Sequence, residues 1–226
     1  MAGVCKSITL DGNVIAVLDE KDAERYLGRK LCFEECMQTE VLNRIAAGWA
    51  AFHKHKAELC NKNYRLQDRV RLFDACVTPT VLYGCSTWTL THTMQRQLRT
   101  TQRKMLRYVF RLHKRSSEEW IEYMKRSTRR LDELAAESGV MVWTELHWRR
   151  KWCFAGRLAR HADSRWSALV LNWRPHHGFG RSRGRPFTRW ADPIESFAGG
   201  DWQKVAIDPE QWEAFEEEFV RFSMAF

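Results

Sequence analysis

Apolar residues recur at the three- and four-residue steps of an amphipathic helix through most of this 226-residue chain. The first series predicts a long helix with one buried face and consists of Leu42, Ile45, Trp49, Phe52 and Leu59. A second series over about 65–77 predicts another helix, which should stop at Pro79 because proline lacks the backbone N–H and its ring clashes with the preceding turn. Further helical patterns cover 143–160 and 209–222.

Shorter signals lie between these helices. Two β-branched runs flank an Asp-Gly-Asn turn and predict a β-hairpin over 7–18, since glycine supplies the positive φ that a tight turn requires. The uncharged segment 77–90 is expected to cross the interior, with a core strand as one alternative. A capping box at 116–119 predicts a helix start, and Gly139 is expected to end that helix.

The pattern from Thr91 to Lys114 predicts a helix with an apolar face and a cationic face. The apolar face contains Met94, Leu98, Met105, Val109 and Leu112. The cationic face contains Arg96, Arg99, Arg103, Arg107, Arg111 and Lys114. Because no acidic residue interrupts the cationic face, its charges repel one another unless an anion neutralises them. We therefore expect this helix to contact nucleic-acid phosphates.

The regional distribution of charge supports the same partner. Residues 91–190 carry 23 basic and 8 acidic side chains, whereas 1–90 carry 12 and 11, and 191–226 carry 2 and 9. Arginine supplies 26 of the 37 basic residues, and its planar guanidinium can hold two phosphate oxygens at once. The alternative is an arginine-rich surface that contacts only water.

Two further basic segments offer candidate nucleic-acid contacts, one at 148–160 and one in a glycine- and arginine-rich loop at 174–185 and just after it. The candidates in these segments are Arg149, Arg150, Lys151, Arg183, Arg185 and Arg189. Trp148 and Trp152 lie one helical turn apart, and packing in the core is favoured for them over stacking on bases.

Catalytic and metal-binding chemistry is not indicated. Two-metal phosphoryl transfer needs clustered carboxylates, and the sequence contains no Asp-Asp pair. Neither an activated serine or cysteine motif nor a glycine-rich phosphate loop occurs. The soft ligands match no common zinc spacing, so we expect no metal site and no cofactor; they are Cys32, Cys36, His53, His55 and Cys60.

The expected compartment is intracellular, in the nucleus or the cytoplasm. No apolar run approaches the length of about 18 residues that a membrane span requires, so we expect no membrane partner. Asp11 interrupts any signal-peptide core. The seven cysteines, an odd number without paired spacing, are expected to be thiols.

Several segments, taken in order, resemble the C-terminal part of a non-LTR (LINE-type) retrotransposon reverse transcriptase. YLGRKL at 26–31 is similar to that family's primer grip, and VTPTVLYGCSTWTL at 77–90 is similar to a run in its thumb. The basic stretch at 95–115 resembles the family's basic helix. The other similar segments are Leu42 to Phe52, residues 149–160 with Arg157 where histidine is usual, residues 183–192 and residues 201–212.

The resemblance implies a mainly α fold, with a short N-terminal β-hairpin followed by a helical thumb-like bundle and a helical C-terminal extension. The implied regions are a palm and primer-grip remnant at 1–31, a thumb-like region at 32–115, a basic Trp/Arg helical region at 116–173, a basic Gly/Arg loop at 174–190 and an acidic helical tail at 191–226.

The resemblance also implies a role in holding the template-primer duplex during reverse transcription. The implied partners are an RNA–DNA or DNA duplex, RNA, and an intact retrotransposon enzyme. Tyr26, Leu27 and Gly28 would form a vestigial primer grip. The Asp-Asp hairpin and its Mg²⁺ belong to the family's palm, so we expect this chain to bind nucleic acid without polymerising alone.

Two other hypotheses fit the same residues. The chain could be an independent nucleic-acid-binding module whose arginine helix evolved for that purpose. It could instead be a structural or interaction protein in which the acidic tail neutralises the basic middle and no nucleic acid is needed.

Overall fold

A computed structural model describes residues 7–17, 22–32, 36–161, 166–172 and 188–225. It confirms a mainly helical fold that opens with a short β-hairpin. The strands are β1 (Ser7–Leu10), β2 (Asn13–Ala16), β3 (Glu24–Tyr26) and β4 (Arg29–Leu31). The helices are α1 (Cys36–Lys54), α2 (Lys56–Leu59), α3 (Leu66–Val81), α4 (His92–Val109), α5 (Trp120–Ser138), α6 (Trp143–Arg160), α7 (Trp166–Asn172), α8 (Asp192–Ala198), α9 (Trp202–Val205), α10 (Pro209–Ala214) and α11 (Glu216–Ala225).

The N-terminal strands form two antiparallel hairpins. The predicted one pairs β1 with β2 and places Ile8 opposite Ile15. The second pairs β3 with β4 and is not predicted by the sequence pattern. Both turns contain two residues of positive φ, the type I′ geometry that suits strand twist, and these residues are Asp11, Gly12, Leu27 and Gly28. The first hairpin exposes its apolar side chains, Ile8 by 51% and Val14 by 74%.

A buried carboxylate joins the second hairpin to α1. Glu40 is fully buried and accepts hydrogen bonds from the backbone N–H of Lys30 at 2.7 Å and from Nε of Arg44 at 2.8 Å. The Tyr83 hydroxyl, just after α3, donates to the Leu27 carbonyl at 3.2 Å. The primer-grip-like turn is therefore held against α1 and the end of α3.

Helices α1, α3 and α4 enclose the first hydrophobic core, in which Phe52 and Leu59 are buried as predicted. Leu42 is instead 48% exposed, and its neighbour Val41 takes the core position. Gly48 allows α1 to approach α3 closely, since a Cβ there would clash with a methyl carbon of Val81.

Helix α3 continues past Pro79 to Val81, so the prediction that it stops at the proline is wrong. Pro79 lies in the last turn, where its ring costs only one backbone hydrogen bond, and the buried Val77 and Val81 hold that turn against the core. A 3₁₀ turn at Cys85–Thr87 and the fully buried Trp88 complete the predicted interior crossing without a strand.

Helix α6, at the predicted position, continues into a second hydrophobic core that it forms with α8 to α11. The rings of Trp152 and Trp212 lie parallel, with 3.6 Å between their centroids. Each indole N–H donates to the backbone carbonyl of the other tryptophan, at 2.8 and 3.0 Å. Gly156 leaves room for this pair, and both Trp148 and Trp152 pack in the core as expected.

Other helix boundaries also differ from the predictions. Helix α5 begins at Trp120 rather than after Ser116, because Glu119, which would close the predicted capping box, has an extended backbone and precedes the helix. Gly139, with a φ of 66°, ends α5 as predicted. The predicted helix at 209–222 forms as two helices, α10 and α11, separated at residue 215.

Candidate nucleic-acid interface

The N-terminal half of α4 exposes two of the predicted phosphate contacts. The Thr91 hydroxyl caps the helix by accepting from the Met94 N–H at 3.4 Å. Arg96 and Arg99 are exposed, and neither forms an ion pair with any residue that the structure describes. The opposite face of the helix is buried as predicted, including Leu98. Both guanidinium groups are therefore accessible to an anion.

Helix α5 covers the middle of the cationic face. The guanidinium of Arg103 donates to both carboxylate oxygens of Asp132, at 2.6 and 3.2 Å. Arg107 donates to the hydroxyls of Ser127 and Thr128, at 3.4 and 3.1 Å. Arg103 is thus neutralised within the chain, whereas the hydrogen-bond partners of Arg107 among the described residues are uncharged hydroxyls.

Arg111 and Lys114 lie beyond the helix, so the prediction of one helical face for all six cations is wrong. Helix α4 ends at Val109, whose carbonyl accepts a hydrogen bond from Arg69. The backbone then turns through Arg111, with a φ of 57°, and this turn brings Leu112 into the core, where it is 9% exposed. Arg111 and Lys114 remain exposed, with no ion pair to the described residues.

One ion pair stabilises the loop that follows α4. Glu118 binds Arg126 through two hydrogen bonds of 2.6 and 2.8 Å, and it also accepts from the backbone N–H of Arg115 at 3.2 Å. Hydrogen bonding from Arg126 lowers the pKa of Glu118 to about 2. The carboxylate therefore stays ionised at neutral pH and fixes the loop that carries Lys114.

Arg149, the first candidate on α6, is bound by the acidic C-terminal helix. Its guanidinium donates to Glu217 at 2.8 Å and to Glu216 at 3.0 Å. Hydrogen bonds to these two carboxylates raise the pKa of Arg149. Arg150 is exposed and donates to the Leu82 carbonyl at 3.2 Å. Arg150 is therefore the more accessible of the two.

Lys151 is fully buried, so the prediction that it lies on a nucleic-acid surface is wrong. Its ammonium donates to the Trp88 carbonyl at 3.0 Å and lies 5.4 and 5.2 Å from the ring centroids of Trp148 and Trp190. Burial lowers the pKa of Lys151 to about 7 and that of the neighbouring His147 to about 3. Both groups therefore lie in the interior and not on a contact surface.

Of the candidates near the basic loop, Arg189 is exposed, and its backbone N–H donates to Asp192 at 2.6 Å. Arg183 and Arg185 lie outside the described residues, as does most of the predicted loop at 174–190.

The primer-grip-like residues form the turn between β3 and β4. Tyr26 is 62% exposed and Leu27 is 73% exposed. A Cβ at Gly28 would contact the Tyr83 ring at 3.6 Å, so the turn lies directly on that ring. This places the turn beside α1 and the end of α3.

A pocket that the sequence interpretation missed lies between α1 and α4. Its volume is about 250 Å³, and the lining residues are Trp49, Phe52, His53, Lys56, Lys104 and Tyr108. The sequence contains a partial signal, because Trp49 with His53 and Lys104 with Tyr108 are each spaced to share a helix face. It does not show that these two faces meet.

The described part of the chain contains neither a metal-binding cluster nor a membrane-spanning helix. Within it, no three His, Cys, Asp or Glu side chains are grouped so that they could hold a metal ion. No helix there has both the length and the apolarity needed to cross a membrane.

The sequence is similar to a transposon-derived protein of Caenorhabditis elegans, with 30% identity over 207 residues. The aligned region covers 86% of this chain and 70% of the relative. No protein-family profile matches the sequence, and no solved structure matches the fold. The similarity therefore extends over most of both chains.

Proposed function

The chain belongs to the same family as this transposon-derived protein of C. elegans, and from this we propose that it binds nucleic acid as part of a retrotransposon protein. The proposed region is the thumb and C-terminal part of a non-LTR reverse transcriptase. Its proposed ligand is a template-primer duplex, which the chain would bind through the phosphates of the duplex.

The observation that carries the proposal is a set of exposed cations with no acidic partner among the described residues. These are Arg96, Arg99, Arg111 and Lys114. Arg96 and Arg99 lie three residues apart on α4, a spacing at which like charges repel unless an anion lies between them. A polyanion relieves this repulsion and releases counterions to the solvent, which makes its binding favourable.

Contacts among the family-like segments support the reverse transcriptase assignment. The Trp190 indole donates to the Ser86 carbonyl at 2.8 Å, which joins the last family-like segments to the thumb-like run at 77–90. Trp152 and Trp212 join two more such segments through their reciprocal hydrogen bonds. Segments that resemble one family in order thus also pack together.

The acidic tail is the competing partner for the basic middle, and its contacts favour nucleic acid. Glu216 and Glu217 of α11 form ion pairs with Arg149 on α6. Within the described residues, no tail carboxylate forms an ion pair with a cation of α4. The tail therefore leaves the exposed end of α4 available.

The salt dependence of binding tests the proposal. We expect the double variant Arg96→Ala, Arg99→Ala to bind an RNA–DNA hybrid more weakly and to reduce the slope of log affinity against log salt by about 2, because each lost phosphate contact removes about 0.9 from the slope. Fluorescence anisotropy at several salt concentrations measures both quantities. Duplex DNA and single-stranded RNA in parallel titrations rank the ligands.

The matched control is Arg71→Ala, which removes an arginine of another helix, α3, whose side chain is 82% exposed. This variant should keep the wild-type slope. An unchanged slope in the double variant, or an equal loss in the control, would contradict the assignment of α4. Asp132→Asn should change the affinity in the opposite direction. It removes the carboxylate that pairs with Arg103, so this arginine can contact a phosphate and the affinity should rise.

A further inference from the structure

We propose that the pocket between α1 and α4 binds one unpaired nucleotide of a single strand, with the base in the pocket and its phosphate on the flanking lysines. The pocket residues are Trp49, Phe52, His53, Lys56, Lys104 and Tyr108. The inference deepens the proposed nucleic-acid function and rests on it.

The aromatic rings of the pocket are arranged to receive a flat ring. Trp49 and Tyr108 meet edge to face, with 6.4 Å between their centroids and 80° between their planes. Tyr108 is 39% exposed, so part of its ring is open to solvent. His53 stacks on Trp49, with 5.7 Å between the ring centroids, and is itself exposed. A base can therefore stack on the exposed part of the Tyr108 ring.

The charge of the pocket selects an anionic ligand. Lys56 and Lys104 are both exposed, and Lys104 lies 5.6 Å from the centroid of the Trp49 ring. None of the described residues that line the pocket is acidic. A cationic ligand, which aromatic cages often bind, would be repelled here. A ligand with an aromatic ring and a phosphate can stack on the rings of the pocket and pair its charge with the lysines.

The size of the pocket suits a single ring system. Its volume of about 250 Å³ lies just below the roughly 300 Å³ at which sites for drug-sized ligands begin. One base with its sugar partly outside fits this space better than a larger molecule.

The pocket lies on α4 beyond the exposed Arg96. Lys104 follows Arg96 by eight residues, about 12 Å along the helix, and lies one turn before Tyr108, so a strand whose phosphates contact both cations passes the pocket opening. A base in a duplex is paired and stacked and would have to be flipped out before it could enter. The occupant is therefore an unpaired nucleotide, as in a single strand or an overhang.

An abasic oligonucleotide tests this proposal. Two single strands of equal length are compared by fluorescence anisotropy, one with adenine bases and one with abasic sugars and the same phosphates. We expect the wild-type chain to bind the base-bearing strand on the order of tenfold more tightly, because stacking on an aromatic side chain is worth this much per base. Tyr108→Ala should remove most of the preference, and Tyr108→Phe should keep it.

The control is Tyr64→Ala, which removes a tyrosine that is 52% exposed and lies outside the pocket. It should keep the preference for bases. Circular dichroism and a thermal melt establish that each variant is folded. If Tyr108→Ala does not fold, His53→Ala carries the same prediction from an exposed position.

The outcomes separate this inference from the proposed function. Binding that depends on salt but shows no preference for bases, or a preference that survives in folded pocket variants, would overturn the pocket and leave the α4 assignment intact. Competition by free adenosine monophosphate without any preference between the strands would overturn the single-strand occupant in favour of a free nucleotide. Failure of both single strands to bind while the RNA–DNA hybrid still binds would likewise overturn the pocket alone, and failure of the hybrid as well would overturn both proposals.

Discussion

The buried ammonium of Lys151 predicts a specific change in the pH dependence of stability. Burial lowers its pKa from 10.5 to about 7, despite an opposing effect of Asp192. The unfolded chain therefore binds more protons than the folded chain between about pH 7 and pH 10.5. The free energy of unfolding consequently rises as the pH is raised through this window.

The size of the change follows from the two pKa values. Between pH 7 and pH 9, the Lys151 contribution to the free energy of unfolding should rise by about 2 kcal/mol. Over this range His147, whose pKa is lowered to about 3, stays neutral in the folded chain. The Lys151→Met variant keeps an unbranched side chain but lacks the titrating group, so it should not show this gain.

Urea denaturation of the wild type and of Lys151→Met at pH 7 and pH 9 measures the difference. We expect the wild type to gain about 2 kcal/mol more than the variant between the two pH values. The control is Lys125→Met, at an exposed position on α5, which should follow the wild type. Parallel curves for the wild type and Lys151→Met would refute the account of a buried ammonium.

Two further predictions concern the packing that positions the interface. Glu40→Ala should destabilise the chain by about 3 to 5 kcal/mol in urea denaturation, because it leaves the buried charge of Arg44 without its partner; a loss below about 1 kcal/mol would contradict this. Gly156→Ala should destabilise by about 1 to 3 kcal/mol, since its Cβ would lie 2.6 Å from Trp212. The control Gly200→Ala meets nothing within 4 Å and should be neutral, whereas a Gly156→Ala variant more stable than the wild type would contradict the close contact.

Local sequence signals predicted the elements whose determinants are local. The Asp-Gly turn predicts the first hairpin because a type I′ turn needs residues that tolerate positive φ. Gly139 predicts the end of α5 for the same reason. The apolar spacing of α4 and α6 predicts their buried faces, including Trp148 and Trp152, because periodicity records which side of a helix meets the core.

The predictions from sequence are wrong where contacts between residues that are distant in the chain determine the local structure. The helical pattern of α4 continues past Val109 in the sequence, but Arg69 caps that carbonyl and Leu112 packs inward, so Arg111 leaves the helix. Lys151 belongs to a basic run, yet it faces the interior between tryptophans brought from other segments. Tertiary contacts of this kind do not produce a periodic pattern in the sequence.

The candidate nucleic-acid interface likewise combines features that depend on local sequence with features that depend on tertiary contacts. The exposed Arg96 and Arg99 could be predicted because they share a face of α4. The ion pair of Arg103 with Asp132 could not, since it depends on how α5 packs across α4. The pocket also depends on two helices, since Trp49 belongs to α1 and Tyr108 to α4.

Photocrosslinking tests the binding role of α4 most directly. The chain is irradiated with an RNA that carries 5-iodouridine, and the crosslinked peptides are identified by mass spectrometry. We expect crosslinks in α4 and the loop after it, within 92–115, and their loss in the Arg96→Ala, Arg99→Ala variant. Crosslinks confined to α6 and α11, with none in 92–115, would contradict the account.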